Sequence, residues 1–436
     1  MREIVPSPSC GGRDGQASVG DDSVAHLTSW SPRPRLSSYD GNADFRIGVL
    51  GSYGGLNIGD EAILRCVIGC LGHLRPDAKI VVFSRNEAHT RQHHHEVSDV
   101  VRWEAATRCE LLAAVSQLNL LILGGGGVLY DGEGHRYLAL VQAAHNAGVP
   151  VFAYAVGAGP LNDPEERAMV RGVLAGVRDL TVRDHESKLV LEKAGLNRDI
   201  TVTADPALLL APSDFTTDML RAEGIPSGSR LVGMSVREAS RAAERLDVHS
   251  YHELLSLVAD FVVRRLDAHV LFVPMERDDI RHSHAVLSHM SCPDRGRILH
   301  GQYRPGEILG LMQHLHLVVG MRLHFLIFAA TAGVPFLPLP YAGKVFDFAQ
   351  ATGAPALRGV AREHAGPLLA EVDRVWDEDP QRAAQVRDRM QGLQNRARMT
   401  CRRLARVLDS LSAAPGVPPP VSTTLAEELD AGSATA

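Results

Sequence analysis

The chain has no Cys-x-x-Cys pair, no basic surplus and no Gly-x-Gly-x-x-Gly run, and each absence removes a class of function. Six cysteines, at positions 10, 66, 70, 109, 292 and 401, form neither a redox pair nor a secreted-type framework. Reduced core thiols are therefore expected, with Cys66 and Cys70 one helical turn apart. A net charge of −6 and a pI near 6.4 argue against a nucleic-acid partner. No evenly spaced His, Cys and Asp set suggests a metal, and no cofactor is expected. The first 44 residues hold no apolar h-region, so no signal peptide is expected. The 19 residues from Phe325 to Gly343 carry no charge, and Pro335, Pro338 and Pro340 break the run. It reads as helix, turn and buried strand rather than a membrane span. These absences point to a soluble cytoplasmic protein, with peripheral attachment to the inner face of a membrane left open.

What is present is globular: 45% hydrophobic and 22% charged residues over 436 positions, too long for one ordinary core. Residues 1–44 and 413–436 are rich in turn formers without periodicity, and are expected to be a disordered leader and tail. Between them short apolar runs alternate with helical segments, the pattern of parallel α/β architecture. Strands are expected at Phe45–Leu50, Lys79–Phe83, Leu118–Leu123, Val149–Val156, Leu180–Val182 and Ile200–Val202. The pattern restarts with Leu231–Val236, Ala268–Val273, Arg297–His300, Leu317–Gly320 and Pro335–Leu339. This gives two doubly wound Rossmann-like domains facing a cleft, over 45–215 and 228–352, followed by a helical segment over 353–412. The arginine-rich stretch from Pro380 to Ala413 carries an apolar stripe expected to pack on the protein rather than on a membrane.

Four constellations carry candidate chemistry. In GSYGGLNIGDEAIL, residues 51–64, a glycine-rich loop leads into a helix expected to be capped by Asp60. Gly54 and Gly55 allow close backbone approach, and Asn57 and Asp60 are aimed at the cleft; a tight βα turn without ligand is the rival reading. In LLILGGGGVLYD, residues 120–131, Gly125 and Gly126 lie at a buried strand end and Asp131 offers a carboxylate to a hydroxyl. In TVRDHES, residues 181–187, Arg183 ends a strand and could hold a carboxylate or phosphate, unless it pairs internally with Asp184. The same logic covers Arg237 in MSVRE. The fourth is GMRLH, where Arg322 and His324 precede a helix and the charge-free run ends at Lys344: cations and an imidazole around an apolar segment suit a small anion. By contrast, His93-His94-His95 and the pair His282 and His284 read as solvated loops.

Taken in order, GSYGGLNIGDEAIL, ILGGGGVLYD, VGAGPL, TVRDHES, ADPALLL, GMRLHFLIFAATAGVP and Tyr341-Ala342-Gly343-Lys344-Val345 resemble the polysaccharide pyruvyl transferase family over about residues 46–350. The resemblance implies a fold like GT-B glycosyltransferases, with acceptor bound on the N-terminal side and donor on the C-terminal side. It implies transfer of pyruvate from phosphoenolpyruvate to a sugar or lipid-linked glycan as a cyclic ketal. By motif match Arg183, His324 and Lys344 correspond to positions tied to donor binding and catalysis, with Arg178 and Arg237 as alternatives to Arg183. His324 would move protons, Arg183, Arg322 and Lys344 would clamp the donor, and Asn57 and Asp131 would address the sugar. Two other functions fit the same fold: a nucleotide-sugar glycosyltransferase and a non-catalytic glycan-binding relative.

Overall fold

A computed structural model describes residues 44–237, 247–339, 343–355, 364–377 and 380–412. The expected leader and tail fall outside these residues, apart from Asp44, as do Tyr341 and Ala342. Two parallel sheets organise the rest. The first holds β1 (Arg46–Leu50), β2 (Lys79–Ser84), β3 (Asp99–Arg102), β4 (Leu120–Leu123), β5 (Gly126–Leu129), β6 (Val151–Ala158), β7 (Asp179–Val182) and β8 (Thr201–Val202). Their order is β3-β2-β1-β4-β6-β7-β8, with β5 also pairing β6. The second sheet runs β11-β10-β9-β12-β13, built from β9 (Leu231–Ser235), β10 (His269–Phe272), β11 (Gly296–Ile298), β12 (Leu317–Gly320) and β13 (Phe336–Pro338). Strands such as Leu-Leu-Ile-Leu at β4 are apolar at every position because both sheet faces are covered, so neither side can be polar.

Each sheet reverses its strand order once, between β1 and β4 and between β9 and β12. Ligands in open α/β sheets bind beyond the strand carboxyl ends at such a reversal, because the flanking loops diverge there. The β1 and β4 ends lead into the two glycine-rich loops, and the β12 end leads into Met321-Arg322-Leu323-His324. Six helices carry site residues or brace the two sheets: α1 (Ile58–Leu74), α2 (His185–Lys193), α3 (Arg277–His289), α4 (Leu323–Ala332), α5 (Gly343–Thr352) and α6 (Pro380–Ser412).

The start of α1 corrects the sequence reading. Asn57, not Asp60, is the cap: its Oδ1 accepts from the Gly59 N–H at 3.0 Å and the Asp60 N–H at 3.3 Å. The helix therefore begins three residues earlier than expected and carries Asp60 and Glu61 in its first turn, where the helix dipole favours negative charge. β3 and β5 were not legible as strands, the first because it is short and half polar, the second because two of its four residues are glycine.

The histidine readings also change. His94 is buried with Nε2 3.5 Å from Glu61 Oε2, and Glu61 Oε1 accepts from the Gly54 N–H at 2.8 Å. That carboxylate therefore ties the first glycine loop to the helix behind it. His282 is buried on α3, its Nδ1 3.0 Å from His252 Nε2. Charge-poor histidines on an amphipathic helix look polar in sequence but pack as aromatics.

α6 packs as its stripe required. Met390, Leu393, Ala397, Leu404, Val407 and Leu408 are buried in an apolar cluster that joins residues from both sheets. Arg403 holds Asp179 through bonds of 2.9 and 2.7 Å. The thiol expectation fails here: Cys70 on α1 and Cys401 on α6 form a disulfide spanning 331 residues of sequence. A pairing between helices so far apart along the chain is invisible to spacing rules, which look for local frameworks. Disulfides persist in oxidising surroundings and are rare where thiol pools keep cysteines reduced. Among the described residues no helix is long and apolar enough to cross a membrane.

Candidate active site

Residues from both sheets meet at Asp205, a residue the motif ADPALLL contains but to which its spacing assigns no role. Asp205 caps a short 3-10 turn, Pro206–Leu209, its Oδ1 accepting from the Ala207 N–H at 3.0 Å. Its Oδ2 accepts from Arg183 Nη1 at 3.0 Å and faces His324 Nε2 at 3.5 Å. The last distance is within ion-pair range but makes no hydrogen bond, so this buried imidazole nitrogen has no hydrogen-bond partner among the described residues. Burial by itself would raise the Asp205 carboxyl pKa, but His324 and Arg183 outweigh it and hold the group well below the usual carboxylate range. Asp205 thus stays charged and links an arginine of the first sheet to a histidine of the second.

Glycines make room for this junction. A Cβ on Gly59 would lie 1.9 Å from His324 Nδ1, so the imidazole rests directly on the first turn of α1. A Cβ on Gly157 would lie 2.9 Å from Arg183 Nε and Nη2, which is why VGAGPL needs a glycine there. The run of four glycines after β4 serves the same purpose. A Cβ on Gly124 would lie 2.0 Å from Tyr53 Oη, one on Gly125 3.1 Å from Ile63, and one on Gly126 3.2 Å from Asp60 Oδ1. At Gly54, a Cβ would lie 2.2 Å from Ser84 Oγ, whereas Gly55 is exposed. Most of these glycines admit protein groups rather than leaving bare backbone for a ligand.

Gly59→Ala tests that packing. The added methyl must push the imidazole aside, and displacement of a reacting group by about 1 Å costs on the order of a hundredfold in rate. Turnover is expected to fall about a hundredfold while the melting temperature changes little, read by steady-state kinetics beside a thermal melt. Unchanged turnover would show that the ring's seat on α1 is unimportant.

The other expected site residues divide. Asp60 is half-buried in the first turn of α1. Burial raises its carboxyl pKa, His324 lowers it, Glu61 raises it, and Arg183 and Lys344 lower it, leaving the net shift upward. Lys344 lies in the first turn of α5, where Gly343 packs so tightly that a Cβ would be 2.1 Å from Glu186 Oε1. Its charge acts on both Asp60 and Glu186. Asp60, Arg183, Asp205, His324 and Lys344 are therefore one cluster.

Arg183 does pair with Asp184 as the rival reading held, Nε to Oδ2 at 3.3 Å, besides holding Asp205. Arg237 lies at the end of β9, close enough to act on the charge of Glu276.

Three expectations are overturned by where the side chains bond. Arg322 is not a free cation at the cleft: it is buried against Asp279 and Glu276, with Nε 2.9 Å from Asp279 Oδ2. Asn57 is taken up by its cap and by donating Nδ2 to Glu276 Oε2 at 2.8 Å. With the Ile58 N–H bonded to the Met275 carbonyl at 2.9 Å, it ties the first glycine loop to the loop after β10. Asp131 accepts from the Asn162 and Asp163 N–H groups at 2.7 and 3.1 Å, so it braces a loop rather than facing a sugar. Sequence shows which polar groups lie near strand ends but not which are already partnered.

One terminus remains open. Arg322 caps α4 with no side-chain hydrogen bond to the helix, leaving the Leu323–Phe325 amides at a positive helix end beside His324.

Solved structures support the fold. A UDP complex of MnaA from S. aureus has a TM-score of 0.60 at 11% identity, covering 87% of this chain and 100% of that one. A glycosyltransferase from Rickettsia africae has a TM-score of 0.60 at 10% identity, covering 85% and 99%. HepE from Anabaena in complex with UDP-glucose has a TM-score of 0.57 at 14% identity, covering 84% and 99%. These likenesses show two Rossmann-like domains in the GT-B manner. In sequence, the amylovoran biosynthesis protein AmsJ of Erwinia amylovora is 22% identical over 276 residues, 60% of this chain. The chain spans just under two thirds of that relative, 66% of its length. The polysaccharide pyruvyl transferase family model matches residues 57–343, which takes in every member of the Asp205 cluster except Lys344, one position beyond its end, and the chain belongs to that family.

Proposed function

We propose that the protein transfers pyruvate from phosphoenolpyruvate to a sugar of a polysaccharide or its precursor, forming a cyclic pyruvate ketal. The observation that carries this reading is the meeting of His324 and Lys344 with an uncapped helix end, facing Asp60 and Asp205 across the junction of the two sheets. Phosphoenolpyruvate carries a phosphate and a carboxylate, so its site needs cations and free backbone N–H groups. Lys344 and the amides at the start of α4 supply them on the C-terminal side. Arg183 already meets two carboxylates. Its part is to hold Asp205 in place more than to clamp the donor.

Ketal formation protonates the donor's methylene and adds two sugar hydroxyls to the carbon that loses phosphate. An imidazole carries protons near neutral pH, and Asp205 supplies a counter-charge beside Nε2. The acceptor would then approach from the N-terminal side, over α1 and the second glycine loop. Phosphoenolpyruvate is made inside cells, and in a reducing cytoplasm the Cys70–Cys401 disulfide would open to two thiols.

The test is incubation with phosphoenolpyruvate and a panel of free, nucleotide-linked and lipid-linked sugars. Phosphate release is expected together with a product heavier by one pyruvyl ketal. No release with any acceptor, alongside saturable binding of a nucleotide sugar, would assign the site to glycosyl transfer instead.

A further inference from the structure

Almost every carboxylate around the cleft is committed. Asp205 serves Ala207, Arg183 and His324; Asp184 serves the Ser187 N–H and Arg183; Glu276 and Asp279 serve Arg322; Glu61 serves the Gly54 N–H. Asp60 differs. Its N–H is held by Asn57, but its carboxylate accepts no hydrogen bond among the described residues. It stands in the first turn of α1, with Gly126 opposite: a Cβ there would come within 3.2 Å of Oδ1, and Gly126 has a φ of +95° that favours glycine. Gly59, its neighbour in the chain, carries the His324 ring. An unengaged carboxylate and an imidazole thus flank one spot, the first on the acceptor side and the second on the donor side.

We infer that Asp60 is the general base that takes the proton from the attacking sugar hydroxyl, working opposite His324 as the acid. The inference rests on the pyruvyl-transfer reading. The proton balance closes with these two groups. In the first step the hydroxyl oxygen bonds to C2 of phosphoenolpyruvate, its proton passes to Asp60, and the C2–C3 electron pair takes a proton from His324 to give the methyl group. In the second the C2–O bond to phosphate breaks with its electron pair leaving on phosphate. The second hydroxyl then bonds to C2 and its proton returns to His324. Asp60 gives its proton to the departing phosphate. Two hydroxyl protons leave the sugar, one is replaced on C3 through His324, and both residues end as they began.

Burial raises the Asp60 pKa, which makes the carboxylate a stronger base than an exposed aspartate. The groups that face it are Glu61 on its own helix, Arg183 after β7, His324 on α4 and Lys344 on α5. Tyr53, Tyr130 and Tyr137 complete the surround. Because the base must be ionised, turnover falls as pH drops through its raised pKa.

The experiment compares wild type, Asp60→Asn and Asp60→Ala for phosphoenolpyruvate affinity, turnover and pH profile. Asp60→Asn is expected to bind the donor at least as well, since a negative charge leaves an anion site. It is expected to lose turnover about a hundred- to ten-thousand-fold and to lose the acidic limb of the profile. In Asp60→Ala, added formate is expected to restore part of the turnover, which a purely structural role would not allow. Turnover within a few-fold of wild type in Asp60→Asn would overturn the assignment. So would loss of donor binding in step with turnover, or no rescue in a folded, donor-binding Asp60→Ala. If wild type itself releases no phosphate from phosphoenolpyruvate with any acceptor, the pyruvyl-transfer reading fails first and takes this inference with it.

Discussion

His324→Gln is expected to lower acceptor-dependent release of phosphate about a hundred- to ten-thousand-fold while the fold and donor affinity survive. Glutamine is close to histidine in reach and remains polar, so it can lie against Gly59 and face Asp205, but it cannot give up or take a proton. The imidazole is held on two sides, by the bare α-carbon of Gly59 and by the Asp205 carboxylate 3.5 Å from Nε2. The measurement pairs steady-state turnover with donor affinity by calorimetry. Turnover near the wild-type rate would remove His324 from the chemistry. A rise in the donor dissociation constant matching the fall in rate would make it a binding group instead.

Arg322→Met is expected to destabilise the protein by about 3–5 kcal/mol, with donor affinity in the remaining folded molecules little changed. Asp279 is 0% exposed, and Arg322 is the cation that meets it. Removing that cation leaves a buried charge without its counter-ion, which costs far more than the pair itself contributes. Burial raises the Asp279 pKa even with Arg322 beside it, so loss of the arginine drives that carboxyl toward its neutral form. The damage spreads because Glu276, the arginine's second partner, also receives Asn57 from the other sheet. Denaturant melts followed by circular dichroism give the stability, and calorimetry at low temperature gives donor affinity. A tenfold or greater loss of affinity with unchanged stability would return Arg322 to the role of donor clamp.

The two fates of GMRLH show how far sequence can be read. Arg322 and His324 stand two residues apart after the same buried strand, and both invite a functional reading. Their environments separate them: Arg322 turns into the fold toward Asp279, while His324 crosses to α1 and Asp205. Asp131 and Asp60 show the same division among acids, one spent on backbone N–H groups and the other left open. Asp205 escaped notice because an Asp-Pro before an apolar run reads as a turn cap, which it also is.

Sequence by itself determined the two parallel α/β sheets and the family, because strand runs, glycine loops and their order are local properties of the chain; the strand order that sets the reversal points came from the structure. It also determined that α6 would pack inward, since an apolar stripe must be covered. Only the tertiary structure decided which polar groups are free to act, and it decided the Cys70–Cys401 pairing. Whether a charge is available depends on partners far away in sequence, as with Arg322 and Asp279 across 43 positions or His324 and Asp205 across the two sheets. A carboxylate or cation with a buried partner is neutralised in place.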